Sequence, residues 1–374
     1  MSVTIPKTML AARVTGPGIT RWDIQTVPVP RPTGDQALIK VAAAGLCHTD
    51  TMIMEFSMFG VYPVTGSHEP AGTVVALGVD AQEKGKLRVG QTIAGLQHFG
   101  MCHTCKDCLE YCTHSRYTGL TADGAFAEYV LLEADCCVPI PDSMPFEQAA
   151  PLTCAGITMW TGLRSLDLQP RKVVGISELG ALDHLGVQFA KAMGLKVVGI
   201  DARPHPIELA RDLRLAPDLL INASETSPAE ARKAILAMRG LEYRPFAEPF
   251  NGVDGERSFT FPSQHVAHPA TAMILTADPV AAQRYAVEVT RRHGTFVVVA
   301  QPETVSISFR DFVFRDLTVI GSLQGDVHDL EETIAVAAEH GIVSDVSSYT
   351  LAEHEALLAT VHDEKRKDKA VMVF

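Results

Sequence analysis

KVVGISELGALDHLGVQFAKAMGLKVVGID, residues 172–201, decides the fold of the second half of this 374-residue chain. Two apolar runs, KVVGIS (172–177) and KVVGID (196–201), flank a stretch at 182–193 whose apolar residues recur at helical spacing. Short runs that are apolar on both faces belong to strands covered on both sides. A strand, a crossover helix and a second strand make the two strands parallel. The alternation continues downstream. LLINA (219–223), TAMILTA (271–277), GTFVVVA (294–300) and LTVIGS (317–322) read as strands, with helical stretches at 206–213, 229–239 and 279–292 among them. The α/β pattern predicts a doubly wound parallel sheet.

Upstream the texture differs. Residues 1–154 are rich in Gly and Pro and carry short β-like runs, ALIKVAAAG (37–45), GTVVALG (72–78) and EYVLLE (128–133). These predict an irregular, mainly antiparallel domain. The length suits two domains, and an apolar fraction of 47% supplies their cores. A net charge of −12, with no basic stripe, argues against nucleic acid and anionic membrane surfaces. No stretch approaches the ~20 apolar residues of a membrane span.

The cysteines carry the chemistry. Cys102, Cys105, Cys108 and Cys112 form a C-x2-C-x2-C-x3-C cluster, which reads as a closed structural zinc site. A disulfide knot competes with that reading. The opening MSVTIPKTMLAARV lacks a secretory signal, however, and a cytoplasmic, reducing setting favours metal. Cys47 in GLCHTD, His68 in GSHEPAG and Cys154 in PLTCAG offer two sulfurs and one nitrogen, an open site that leaves a position for substrate. Taken singly, each of the three is more often a core residue than a ligand. Cys136 and Cys137 read as buried hydrophobes.

GLCHTD, GSHEPAGTVVALG, the cysteine cluster, TADGAFAEYV, PLTCAGITMW and VQFAKAMGLKVVGID follow one another in an order that resembles the zinc-dependent medium-chain alcohol dehydrogenases of the shorter yeast and bacterial type. The resemblance covers nearly the whole chain, excepting about 25 residues near 242–267. It implies a GroES-like, mainly antiparallel catalytic domain over 1–154 plus 323–374, with a helix near 329–341. A Rossmann domain over 155–322 follows from it, and the active cleft would lie between the two. It further implies hydride transfer between an alcohol and an aldehyde or ketone with NAD(H), two zinc ions per chain, a small-molecule substrate and a homo-oligomer, tetramer or dimer. Cys47, His68 and Cys154 match the catalytic zinc ligands. Thr49 matches the hydroxyl that carries the substrate proton away. Asp50 matches a carboxylate that orients His68 through its other ring nitrogen, and Glu69 the acidic residue beside the metal. His48 and Lys369 fall at positions whose basic side chains touch pyrophosphate.

Several positions depart from the family pattern. Met52 replaces a proton-relaying histidine, which leaves His48 or water for proton release. The loop MIMEFSMF (52–59) reads equally as an apolar substrate wall and as core packing. The dinucleotide turn G-x-G-x-x-G is here Glu178-Leu179-Gly180-Ala181-Leu182-Asp183, with only Gly180 retained. One uncompensated like charge at about 5 Å from a pyrophosphate costs about 3 kcal/mol at an effective dielectric near 20. Asp201 suits a ribose diol and would repel the extra phosphate of NADP, whereas Pro206 replaces a lysine near the adenine ribose. The insertion at 242–267 reads as an ordered surface loop, a lid, an oligomer contact or a neutral addition. Two further functional readings therefore stand beside dehydrogenation. One is a non-redox zinc Lewis-acid enzyme, a lyase, isomerase or cyclase. The other is a non-catalytic scaffold.

Overall fold

The computed structural model describes residues 4–55, 61–106, 108, 111–238, 270–276, 279–363 and 368–374. The insertion at 242–267 and residues 56–59 of the apolar loop lie outside the described residues. Two units emerge, Met1–Ile157 with Gln324–Phe374, and Thr158–Leu323.

In the second unit the apolar runs form β1 (Val173–Ser177), β2 (Lys196–Asp201), β3 (Leu219–Asn222), β4 (Ala270–Leu275), β5 (Thr290–Val298) and β6 (Thr318–Gly321). They alternate with α1 (Asp183–Ala192), α2 (Pro204–Asp212), α3 (Pro228–Met238), α4 (Val280–Val289) and α5 (Phe309–Phe314). The sheet runs β3-β2-β1-β4-β5-β6 and every pair is parallel. This is the doubly wound Rossmann order. Strand order reverses between β1 and β4, so their carboxyl ends define the crevice where such sheets receive ligands. All five residues of β1 are buried, and Val173, Val198, Met273 and Phe296 meet in one core.

One boundary moves. The helix expected over 279–292 ends at Val289, and β5 starts four residues ahead of GTFVVVA. Thr290 turns to ψ 142 and pairs with Ala270, while its hydroxyl donates to Ala286 O at 2.7 Å. A β-branched residue at the junction ends the helix, although Arg291 and Arg292 give no strand signal of their own.

The first unit holds a seven-stranded sheet. Cys137–Pro139, Thr92–Gly95, Pro70–Leu77, Gln36–Gly45, Lys369–Val373 and Val346–Thr350 lie side by side, and Tyr129–Glu133 also pairs with Gln36–Gly45. Only Val346–Thr350 and Lys369–Val373 pair in parallel. The late strand Lys369–Val373 thus inserts beside the early strand that leads to Cys47, with Val371 opposite Gly45. The helix expected near 329–341 spans Val327–His340, started by an Asp326–Asp329 capping box and stopped by Gly341 at φ 59. Among the described residues, no helix is long and apolar enough to cross a membrane.

Candidate functional site

Three segments of the first unit deliver one cluster. Cys47 follows the strand Gln36–Gly45, His68 and Glu69 precede Pro70–Leu77, and Cys154 lies in a π-helical turn, Leu152–Gly156. Such turns recur at functional sites because they re-aim one side chain from a helix. The donor atoms of Cys47, His68, Glu69 and Cys154 all lie within 4.8 Å of one another. His68 Nε2 is 3.2 Å from Cys154 Sγ. Gly45 makes room for this, since a Cβ there would lie 1.9 Å from Glu69 Oε2.

Electrostatics favour a cation at this point. The Cys47 thiol is held well below its usual range, first by the hydrogen bond from Cys154 and then by His68. Cys154 is pushed well above its own range by Cys47 and by burial. Burial works against charge on His68, yet the neighbouring Cys47 raises its pKa to about 9. Both cysteines are free thiols. Two thiols and an imidazole at tetrahedral reach fit zinc, for which bond lengths of about 2.3 and 2.0 Å put neighbouring S and N about 3.5 Å apart.

The structure changes two assigned roles. Asp50, fully buried, accepts from Cys47 N–H at 2.9 Å and from Ser67 N–H at 2.7 Å. His68 Nδ1 is buried and has no hydrogen-bond partner among the described residues. Asp50 therefore ties the two ligand-bearing segments together by hydrogen bonds to their backbones and acts on the imidazole by charge, and burial raises its pKa to about 6. Lys369 is the second correction. Its Nζ pairs with Glu69 Oε1 at 2.6 Å, and the two side chains are 2% and 0% exposed. A lysine so placed compensates the charge of Glu69, a contact that its position in the family did not imply. Thr49 Oγ1 lies 3.5 Å from Cys47 Sγ, and His48 is exposed at the start of the helix His48–Glu55. Within the apolar loop, Ile53 and Met54 join the first unit's core and Met52 is half-buried, which favours packing for that part.

The second cysteine group also gathers. Cys102, Cys105, Cys108 and Cys112 bring their sulfurs within 4.8 Å of one another, with Cys102 and Cys108 3.8 Å apart. A tetrahedron with Zn–S of about 2.3 Å has edges of about 3.8 Å. Backbone N–H groups of Cys102, His103 and Cys105 donate to Cys112, Cys108 and Cys102 Sγ at 3.4, 2.9 and 3.4 Å. Donors aimed at sulfur stabilise thiolates, so this group too fits zinc.

In the second unit, the turn after β1 keeps its glycine-like shape, because Glu178 adopts φ 86. Gly180 is open; a Cβ there would come no nearer than 3.7 Å to Asp183 Oδ2. Ala181 and Leu182 lead into α1, as a phosphate-facing turn requires. Asp201 is more engaged than expected. Its Oδ2 accepts from Leu179 N–H at 2.9 Å, and the Arg203 guanidinium forks onto both oxygens at 3.1 and 3.0 Å. Its charge is thus neutralised and no longer argues against the extra phosphate of NADP. Pro206 is buried within α2. The turn retains the frame of a dinucleotide cradle, although a ribose would have to displace Arg203.

Residues 33–142 match the alcohol dehydrogenase GroES-like domain. An alcohol dehydrogenase of Geobacillus stearothermophilus is 31% identical over 84% of this chain and 85% of its own length. The chain belongs to the medium-chain alcohol dehydrogenase family. Solved structures share its fold at lower identity. The alcohol dehydrogenase of Aeropyrum pernix superposes with a TM-score of 0.81 at 22% identity, covering 98% of this chain and 100% of the other. An acetophenone reductase of Geotrichum candidum, solved in complex with NAD, gives 0.79 at 21% identity over 100% and 99%.

For this alcohol dehydrogenase homologue the buried Glu69–Lys369 pair makes a stability prediction. Lys369→Met strands a fully buried carboxylate and is expected to destabilise the chain by about 3–5 kcal/mol. Lys369→Met with Glu69→Gln removes both charges and is expected to recover most of that loss. Urea unfolding midpoints read both.

Proposed function

We propose that this family member is a zinc-dependent alcohol dehydrogenase that interconverts an alcohol and an aldehyde or ketone with NAD(H). The convergence of Cys47, His68 and Cys154 with the Thr49 hydroxyl carries the reading. Cys47, His68 and Cys154 would hold the catalytic zinc, the ligand set known for alcohol dehydrogenases, which when bound supplies Lewis acidity toward an alcohol oxygen. Asp50 fixes the spacing of the loops that carry Cys47 and His68. Thr49 would accept the substrate's hydroxyl proton and hand it onward, to His48 or to water. Lys369 cancels the charge of Glu69, so the acidic group beside the ligands does not deter an anionic substrate oxygen. Gly180, Ala181 and Leu182 would face the dinucleotide phosphates and Asp201 its ribose. Cys102, Cys105, Cys108 and Cys112 would hold a second, structural zinc.

The substrate side is apolar in this reading, and the setting is the cytoplasm, where thiols stay reduced. Phe309, Phe312, Val313 and Phe314 are exposed on α5, and β6 ends the second unit's sheet. Exposed apolar side chains and a strand at the end of a sheet support assembly of two or four copies.

Titrating zinc-loaded protein with NADH tests the proposal, followed by alcohols with NAD and the near-ultraviolet absorbance of the NADH formed. Micromolar binding and alcohol-dependent reduction support it, and no binding up to millimolar NADH removes it. Thr49→Val is expected to lower kcat about 10²- to 10⁴-fold at unchanged zinc content, the range of a positioned proton-transfer group. One observation favours a second reading, a non-redox zinc lyase or isomerase. The Leu179 and Gly180 N–H groups of the turn are already bound by Asp201 and Asp183. Product formation without nicotinamide would establish it.

A further inference from the structure

Asp183 replaces the third glycine of the dinucleotide turn, and its surroundings fix more than its position. It opens α1 and is 2% exposed. Among the described residues, its partners are the Gly180 N–H, which donates to Oδ2 at 3.1 Å, and the Thr276 hydroxyl, 2.6 Å from Oδ1. Thr276 follows β4, and its Oγ1 is also 2.6 Å from the carbonyl oxygen of Ser177, the last residue of β1. Asp183 thus joins the carboxyl ends of β1 and β4, at the point where strand order reverses.

The three oxygens require a count of hydrogens. A threonine hydroxyl has one, and a backbone carbonyl has none. Two contacts of 2.6 Å meet at Thr276 Oγ1, too short for oxygens that face each other without a hydrogen between them. Shared between two acceptors, the single Thr276 hydrogen would leave both contacts longer than this, so it satisfies one, and Ser177 O cannot supply the other. Asp183 Oδ1 can, as the protonated carboxylic acid donating to Thr276 Oγ1 while Thr276 donates to Ser177 O.

The charges around the carboxyl point the same way. Burial first, and then the like charges of Glu178 from the turn and Asp201 from β2, oppose its ionisation and outweigh the hydrogen bonds from Thr276 and Gly180 N–H. Arg203 makes its hydrogen bonds to Asp201 and acts on Glu178 and Asp183 only through space. The ring of His184, next along α1, lies with Nδ1 3.0 Å from Gly180 O, on the backbone side of the turn.

We infer that Asp183 is carried as a neutral acid hydrogen-bonded between Gly180 and Thr276, and that this proton is what admits a dinucleotide's pyrophosphate to the turn. The inference rests on the proposed dinucleotide binding and makes Asp183 the residue that sets cofactor affinity. Protonated, it closes the gap between α1, β1 and β4 without adding charge. Ionised, it adds an anion beside Glu178 and opposes the phosphates, by about a hundredfold in affinity for one like charge at about 5 Å. Burial pushes its carboxyl well above the usual carboxylate range, so the neutral form persists where an exposed aspartate would be charged.

The experiment compares the zinc-loaded wild type with Asp183→Asn, which preserves shape and neutrality. NADH is titrated by fluorescence across a pH series, and infrared spectra are taken without cofactor. In the wild type, affinity is expected to fall with rising pH, by about tenfold per pH unit once Asp183 titrates, toward a hundredfold loss. In Asp183→Asn it is expected to stay at the low-pH value. The carbonyl stretch of a protonated carboxyl should be present in the wild type near neutrality and weaker by one group in the variant. Parallel pH profiles in two proteins that both bind NADH overturn the inference. So does identical carboxyl absorption in the two, which is read without any cofactor. If neither protein binds NADH at any pH, the dinucleotide proposal itself falls and takes the cofactor half of the inference with it.

Discussion

Cys154→Ala is expected to abolish turnover while leaving a folded chain that keeps about one of two bound zinc ions. Cys154 reaches the cluster from the π-helical turn Leu152–Gly156, and its sulfur is one of three donors available to an open site. Withdrawing it removes Lewis acidity that supplies several kcal/mol of stabilisation to developing charge, so the loss in kcat should reach about a thousandfold or more. The fold should tolerate the change, because alanine suits a helical turn and removes one small, partly buried thiol. Metal analysis, circular dichroism and turnover on one preparation give the answer. Loss of folding with both metals released would instead make this cluster the structural one.

The opposite behaviour is expected of Cys105→Ser. Cys105 is exposed, so packing alone assigns it little importance. Its sulfur nevertheless belongs to a four-thiol group in which backbone N–H donors reach the other three sulfurs. Metal binding of that kind is coupled to folding. Zinc affinity weakened about a hundredfold removes about 2.7 kcal/mol at saturating metal, which lowers the melting temperature by about 5–10 °C for a unit of this size. The lobe between Met101 and Ser115 should become susceptible to protease, while protein that retains the structural metal should turn over normally. An unchanged melting temperature with zinc lost would remove the structural role. A chelator added to wild type should reproduce the Cys105→Ser melting curve.

Legibility in the sequence followed locality. The six parallel strands could be read because each is a short apolar run bounded by turn residues, and burial on both faces leaves that signature undiluted. The start of β5 could not, since Thr290 pairs with Ala270 only because β4 lies alongside, and Arg291 and Arg292 fall in the irregularity before the register resumes at Thr295. Cys47, His68 and Cys154 stood out because each lies in a distinctive local sequence. The Glu69–Lys369 pair joins residues 300 apart and exists only because Lys369–Val373 enters the first unit's sheet. Read alone, Lys369 kept the role of a phosphate ligand that its position in the family implies. Asp183 was misleading for a related reason. In the sequence it is a negative charge beside a phosphate site, and the hydroxyl that reveals its proton comes from Thr276, 93 residues on. Arg203 was the missed signal closest to hand, a cation two residues after Asp201.

The late strand Lys369–Val373 has a consequence for the order in which the chain acquires structure during synthesis. By Gly321 all six strands of the second unit have left the ribosome, and that unit can fold. The first unit, begun earlier, still lacks the strand that pairs with both Gln36–Gly45 and Val346–Thr350. Until residue 369 emerges, Glu69 lacks its lysine and the Ala43–Gly45 end of the Cys47 strand lacks a neighbour. The middle of the polypeptide is thus equipped to mature before its beginning. The early-born residues, four thiols of the cysteine lobe among them, spend the longest time waiting, and that interval is when aggregation or oxidation would reach them.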